Sequence, residues 1–216
     1  MSRRPPLTHE RVVAAAVAVA DRGGLGAVSM RHVARELGVE AMSLYHHVAN
    51  KDALLDALAD WAFTEVELPA PGTPWRDAMA DRAASARTVL AAHPWALGMI
   101  ESRRNPGPAL LHHHDSVLGL LREGGFSVAL AAHAYSVIDA YVFGFVLTET
   151  NLPFEAGKSA EAFVQETVGL MSPDEHPYLA EMAAELVVGG SYDFADEFGY
   201  GLELVLDSLE ARLAAP

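Results

Sequence analysis

The chain has 216 residues, 51% of them hydrophobic and 20% charged, so it can bury a sizeable core and is not a disordered polymer. It has no cysteine, which excludes disulfide frameworks, thiolate metal sites and cysteine nucleophiles. Its net charge of −14 opposes a polyanion everywhere except at one end. Residues 1–51 hold seven Lys or Arg against four Asp or Glu, a net of +3, and the rest hold eight against twenty-five, a net of −17.

Helical spacing of apolar residues dominates and alternating strand patterns are scarce, which predicts an all-α fold. Thr8 is placed to cap a first helix running to about Arg22, with Val13, Ala16, Val17 and Ala20 on one face and Gly23-Gly24 as the stop. Ser29 caps a second, in which Met30, Val33, Ala34 and Leu37 recur at i, i+3, i+4 and i+7. A short third helix is expected over residues 41–47. Asn50 caps a fourth over residues 51–66, which turns Leu54, Leu55, Leu58, Ala62 and Val66 toward a core.

The prolines and glycine of "LPAPGTP", residues 68–74, end that helix in a linker. Further helices are expected near 75–92, 94–102, 107–123, 127–150, 174–188 and 193–213. Residues 151–173 are ambiguous, with a helix over 159–170 as one option.

Two segments imitate membrane signals. Residues 12–20 form a short apolar run behind early arginines, but the run opens at a helix cap and leads without a break into a folded pattern. Residues 128–147 are long enough to span a bilayer. They include His133, Ser136 and Asp139, which are costly in lipid, so a soluble helix buried on most sides is expected. The expectation is a cytoplasmic protein with no membrane partner.

Function is concentrated in "ARELGVEAMSL", residues 34–44. Two helices crossing closely need a small residue at the crossing, a glycine that takes positive φ at the turn, and an apolar residue to close the core. Ala34, Gly38 and Leu44 supply these, with Val39 in the turn, so a helix-turn-helix is expected. With Leu44 and Val48 inward, the outward residues are Met42, Ser43, Tyr45 and His46. Ser43 can bond a base or phosphate, Met42 can press on a thymine methyl, and the Tyr45 hydroxyl can reach a phosphate. Arg31 can address guanine with two hydrogen bonds, and Lys51 can meet a phosphate at the start of the fourth helix. Plainer roles exist: Tyr45 as a packing residue, Arg31 as a solvated charge, and His47 as a structural hydrogen bonder.

These residues resemble the tetracycline-repressor (TetR) family of transcriptional regulators. The likeness is strongest in "ERVVAAAVAVADRGGLGAVSMRHVARELGVEAMSLYHHVANKDALLDAL", residues 10–58, above all its "SLYHHVANKDALLDAL" part. "GFSVALAAHAYSVIDAYVFGFVL" and "FGYGLELVLDSLE" resemble the tetracycline-responsive subgroup. The resemblance implies a helix-turn-helix DNA-binding domain over residues 1–50, a connecting helix over 51–67, and a larger helical ligand-binding and dimerisation domain over 68–216. It implies a homodimer on a double-stranded DNA operator, released by a small-molecule effector through the fourth helix, which alone would touch both parts. The stripe Phe194, Phe198, Gly201, Leu202, Val205, Leu209 and Leu213 is expected to form the dimer interface, or else an internal core.

Pocket positions transfer less completely. Tetracycline-binding members carry histidine at the position of Glu67, asparagine at Arg82, phenylalanine at Ala86 and a metal-binding histidine at Ile100, and this chain keeps none of them. A magnesium–tetracycline chelate is therefore not expected to bind, and no cofactor or metal is expected. The remaining pocket positions are Arg103, His114, Val117, Tyr135 and Asp139. Arg82, Arg103, His114 and Tyr135 point to an acidic or phenolic ligand, unless the arginines simply pair with carboxylates.

In "HHH", residues 112–114, adjacent side chains diverge by about 100° and cannot share an ion, and His114 is expected to be the inward one. Two rival readings remain: a ligand-binding helical protein with a degenerate head, and an enzyme using His114, Tyr135 and Asp139, which lacks any accompanying nucleophile, metal triad or phosphate loop.

Overall fold

The computed structural model describes residues 5–100, 106–152, 172–188 and 192–214; the expected helix over 159–170 and Arg103 lie outside them. Every regular element among the described residues is helical. They fall into two compact units, residues 1–143 and 144–216.

The first unit opens with α1 (His9–Ala27), capped by the Thr8 side chain, which accepts the Arg11 N–H at 3.3 Å. The expected stop at Gly23-Gly24 is a kink instead: Gly24 alone is non-helical, at φ 68° and ψ 179°, and one more turn follows it. The Ser29 hydroxyl caps α2 (Met30–Leu37) by accepting the His32 N–H. Gly38 ends it in the left-handed region at φ 65°, and the Val39 N–H turns back to the Ala34 carbonyl at 3.0 Å, the hydrogen bonding of a glycine-stopped helix.

α3 (Ala41–Leu44) is shorter than the expected 41–47. Residues 45–47 form a turn in which the Tyr45 N–H bonds Met42 and the His47 N–H bonds Leu44 in three-residue steps, so Tyr45 and His46 stand just past the α-helix.

Asn50 caps α4 (Lys51–Glu65) by accepting the Ala53 N–H at 2.8 Å. α4 packs against α1, against α5 (Trp75–Ala92) and against α7 (Pro108–Glu123). Between α5 and α7 come a 3-10 turn at Pro94–Ala96 and the single turn α6 (Leu97–Ile100).

The α4–α7 junction is close. Asp60 Oδ1 on α4 accepts the Leu110 N–H of the first turn of α7 at 2.9 Å, so a side chain from another helix caps α7. A Cβ at Gly107 would sit 2.2 Å from Asp60 Cγ; only glycine lets the chain pass there.

α7 buries His113, Val117 and Leu121, one residue per helical turn, and leaves Leu111 exposed. The inward histidine is therefore His113 rather than His114. α8 (Val128–Thr150) buries Ala131, Ala134, Ile138, Asp139, Val142, Phe145 and Val146, while Val128, Val137 and Leu147 are exposed. It buries one face of the chain's own structure, not most sides.

The second unit contains the end of α8, α9 (Pro177–Met182), a π-helical turn at Ala183–Val188, a 3-10 turn at Phe194–Asp196 and α10 (Glu197–Leu213). α9 begins three residues later than expected. Phe145 stacks on Phe194 with centroids 4.8 Å apart and meets Phe198 edge-on at 5.1 Å. Phe198, Leu202 and Leu209 of the stripe, with Leu206 beside them, are buried within the chain, while Phe194, Gly201, Val205 and Leu213 are half-buried. The large apolar residues that α10 leaves exposed are Tyr200 and Leu204, four apart on one face.

Candidate nucleic-acid interface and effector site

The reading head is built so that a small core fixes an outward surface. Val33, Ala34, Leu44 and Val48 are buried and lock α2, the turn at Gly38 and α3 together. His9 Nδ1 lies 3.2 Å from the His47 carbonyl oxygen and ties α1 to the turn after α3, which gives His47 a structural part through its backbone. Outward stand Arg31, Met42 (73% exposed), Tyr45, His46 and Lys51, with Ser43 half-buried. Met42, 73% exposed, stands in the same segment as the exposed cations Arg31 and Lys51.

The second constellation lies inside the first unit, between α5, α7 and α8. Arg82 is 3% exposed. Its Nη1 is 2.7 Å from Asp139 Oδ1, as an ion pair rather than an aligned hydrogen bond, and its Nε–H donates to His113 Nε2 at 2.8 Å. The guanidinium carbon lies 5.1 Å from the Tyr135 ring centroid, and His114 stacks on that ring at 4.1 Å. Phe63 of α4 meets His113 edge-on at 5.4 Å. A buried ion pair costs desolvation, and removing one partner from such a pair typically costs about 3–5 kcal/mol.

Arg82, His114, Tyr135 and Asp139 are thus brought together. Ala86 and Val117 are buried one turn beyond Arg82 and His113 on the same faces, and Ile100 is half-buried at the end of α6. Glu67 is elsewhere. It is exposed, its N–H donates to Ser85 Oγ, and it lines an open groove of about 600 Å³ with Glu65 and Asp81, which none of Arg82, Ala86, His113 or Tyr135 lines. Sequence reasoning missed His113, although its four-residue spacing to Val117 and Leu121 was the available signal. No group of three metal-ligating side chains occurs among the described residues.

Burial, and then the Arg82 charge, lower the His113 pKa from its ordinary 6.5 to about 3. The unfolded chain takes up this proton below about pH 6.5 while the folded one stays neutral to about pH 3, so His113 makes folding less favourable as pH falls through that window. Urea unfolding at pH 7.0 and 4.5 is expected to show a loss of stability in acid that is smaller in His113→Phe; equal losses would show that His113 protonates normally.

A third cluster joins the head to the following helices. Asp21 Oδ1, near the end of α1, accepts Trp95 Nε1–H at 2.7 Å and lies 2.7 Å from His93 Nδ1. Trp61 of α4 stacks on Trp95 with centroids 6.0 Å apart and meets His93 edge-on at 4.9 Å. α4 is therefore not alone in touching both parts, since α1 does so through Asp21.

Both constellations lie within spans that match known family models. Residues 12–58 match the model for bacterial regulatory proteins of the tetR family, and residues 68–213 match the tetracyclin repressor-like C-terminal domain. The HTH-type transcriptional repressor DrrR1 of Streptomyces coeruleorubidus is 34% identical over 98% of this chain and 80% of its own length. The class D tetracycline repressor protein of Escherichia coli is 29% identical over 97% of this chain and 92% of its own. ActR of Streptomyces coelicolor, solved in complex with actinorhodin, superposes with a TM-score of 0.77 at 31% identity, covering 98% of this chain and all of that one. With a reading head of this geometry and family matches over nearly its whole length, the chain belongs to the tetR family of bacterial regulatory proteins, as a helix-turn-helix transcriptional regulator.

Proposed function

We propose that this regulator is a repressor that binds a palindromic operator as a homodimer, in the cytoplasm, and leaves it when a small molecule occupies the Arg82–His113 region. The observation that carries the reading is the cation-flanked, apolar surface of Arg31, Met42, Tyr45, His46 and Lys51 on the one basic segment of an acidic chain. That surface suits a groove edge and a phosphate backbone and has no role within the monomer. A degenerate head would not keep it. Catalysis has no support in the named relatives, which are regulators.

Two heads held about one DNA turn apart would enter successive major grooves of a symmetric site. In the second unit, Leu147, Tyr200 and Leu204 are 56%, 68% and 56% exposed, an apolar surface suited to a second copy of the chain. We assign residues 1–50 to DNA binding, 51–67 to the connection, and 68–216 to effector binding and dimerisation, in line with the two matched spans.

Effector-site packing can reach the head by two routes. One runs from His113 through Phe63 and Asp60 into α4, whose first turn carries Lys51; the other runs from His93 and Trp95 through Asp21 into α1. An effector that prefers a different arrangement of either joint lowers operator affinity by that difference in binding free energy.

A mobility-shift titration on DNA upstream of the gene tests the reading. Arg31→Ala is expected to weaken specific binding by about 1–3 kcal/mol and relax base preference. Lys51→Ala is expected to weaken binding across sequences and reduce the salt dependence by about one counterion. Absence of a salt-sensitive shift by the wild type would refute the regulator's DNA role. Because Arg82 is held by Asp139 and position 100 is isoleucine, titration with tetracycline and Mg²⁺ is expected to give no submicromolar binding; such binding would overturn this account of the pocket.

A further inference from the structure

The chain ahead of α1 is tied down although it belongs to no helix. Nη1 of Arg11, in the first turn of α1, donates to the carbonyl oxygens of both Pro5 and Pro6 at 2.6 Å. In a chain with 29 Asp and Glu this guanidinium is aimed at two backbone oxygens. Adjacent prolines have φ fixed at about −65° and favour an extended backbone. Clamp and prolines together set the line on which the chain approaches α1. The two residues immediately before Pro5 in the sequence are Arg3 and Arg4, and residues 1–9 contain no Asp or Glu.

The start of α1 is also fixed against the reading surface. His9, next to the Thr8 cap, has its Nδ1 3.2 Å from the carbonyl oxygen of His47 in the turn after α3. Pro5 and Pro6 thus lie only a few residues of chain from the end of the helix that carries Met42 and Ser43. With α3 in a major groove, the nearest other surface of the duplex is the minor groove across one phosphate strand. An extended chain advances about 3.1 Å per residue, so the two positions before Pro5 span about 6 Å before their side chains begin. A single extended strand with arginines suits a minor groove, whose negative potential is strongest where A·T pairs narrow it.

We propose that residues 1–6 form a DNA-binding arm: Arg3 and Arg4 enter an A·T-rich minor groove flanking the major-groove site, and Arg11 is the positioning residue that aims them. This rests on the reading of the head as DNA-binding and adds a second contact outside α2, α3 and α4.

The test uses the full chain and a site mapped by footprinting on DNA upstream of the gene. Duplexes of that site carry flanks of A·T, of G·C, or of inosine·C, which resembles G·C in the major groove but lacks the guanine N2 amine in the minor groove. Anisotropy titrations are expected to show A·T and inosine·C flanks bound about fivefold more tightly than G·C flanks. The double variant Arg3→Ala, Arg4→Ala is expected to bring that ratio within about twofold and to lower the salt dependence. Arg11→Leu, which keeps both arm cations and the Thr8 cap, is expected to lose most of the preference, and Arg11→Lys, which can still donate to the two carbonyls, to keep part of it. A change in α1 stability alone would not move this ratio. Equal binding of all three flanks, inosine·C behaving as G·C, or a double variant that keeps the preference would each overturn the proposal. So would a double variant of a protein without flank preference that weakens equally on every flank, which marks phosphate contact alone. Full preference in Arg11→Leu would overturn the role of the clamp. Flank results that fail while the footprint stands count against the arm alone, whereas a wild type with no footprint sinks the DNA reading and the arm with it.

Discussion

Gly107 and Asp60 let α7 start against the flank of α4, and the rest of the functional architecture depends on that contact. The missing Cβ brings the chain close enough for Asp60 to cap the first turn of α7 through the Leu110 N–H. About one turn further along each helix, the same pair of helices sets Phe63 against His113. α4 is therefore a wall of the Arg82–His113 cluster and, at its Asn50-capped start, a support of the reading head. Rearranging α7 without disturbing α4 would require breaking that cap or moving an aromatic edge out of a packed interior. Interiors of this density resist gradual deformation and pass between discrete arrangements.

Charge is divided to serve the two tasks. The acidic body repels DNA, so attraction is confined to the head, and binding depends on orientation rather than on bulk charge. Inside the body the Arg82–Asp139 pair cancels itself, and burial keeps His113 neutral. The Arg82 cluster is thus polar with no net charge of its own.

The head was legible in the sequence because local chemistry specifies it. Thr8, Ser29 and Asn50 are caps whose acceptors bond the N–H three residues on, and Gly38 takes the left-handed conformation that its place between two helices demands. The effector cluster was only half legible. Arg82 and Asp139 could be nominated, but their pairing across 57 residues of chain is a tertiary fact that no spacing reveals. In the sequence Leu110, Leu111 and Leu118 widen the apparent apolar face toward His114, whereas the fold leaves Leu111 outside and buries His113. The stripe on α10 was visible as apolar periodicity, but periodicity does not say whether the chain's own core or a second copy covers it. Here Phe145 packs on Phe194 and Phe198, and Leu202 and Leu209 are buried as well.

The claim at the centre of this account is that α4 and α7 act as one mechanical piece, so that effector chemistry and DNA reading are linked. Operator affinity of Asp60→Ala, measured beside its thermal stability, tests it most directly, because Asp60 is on the body side of α4 and its carboxylate caps α7. The account predicts at least a fivefold change in operator affinity in a protein that remains folded. A variant that unfolds at a lower temperature yet binds the operator as the wild type does would contradict it.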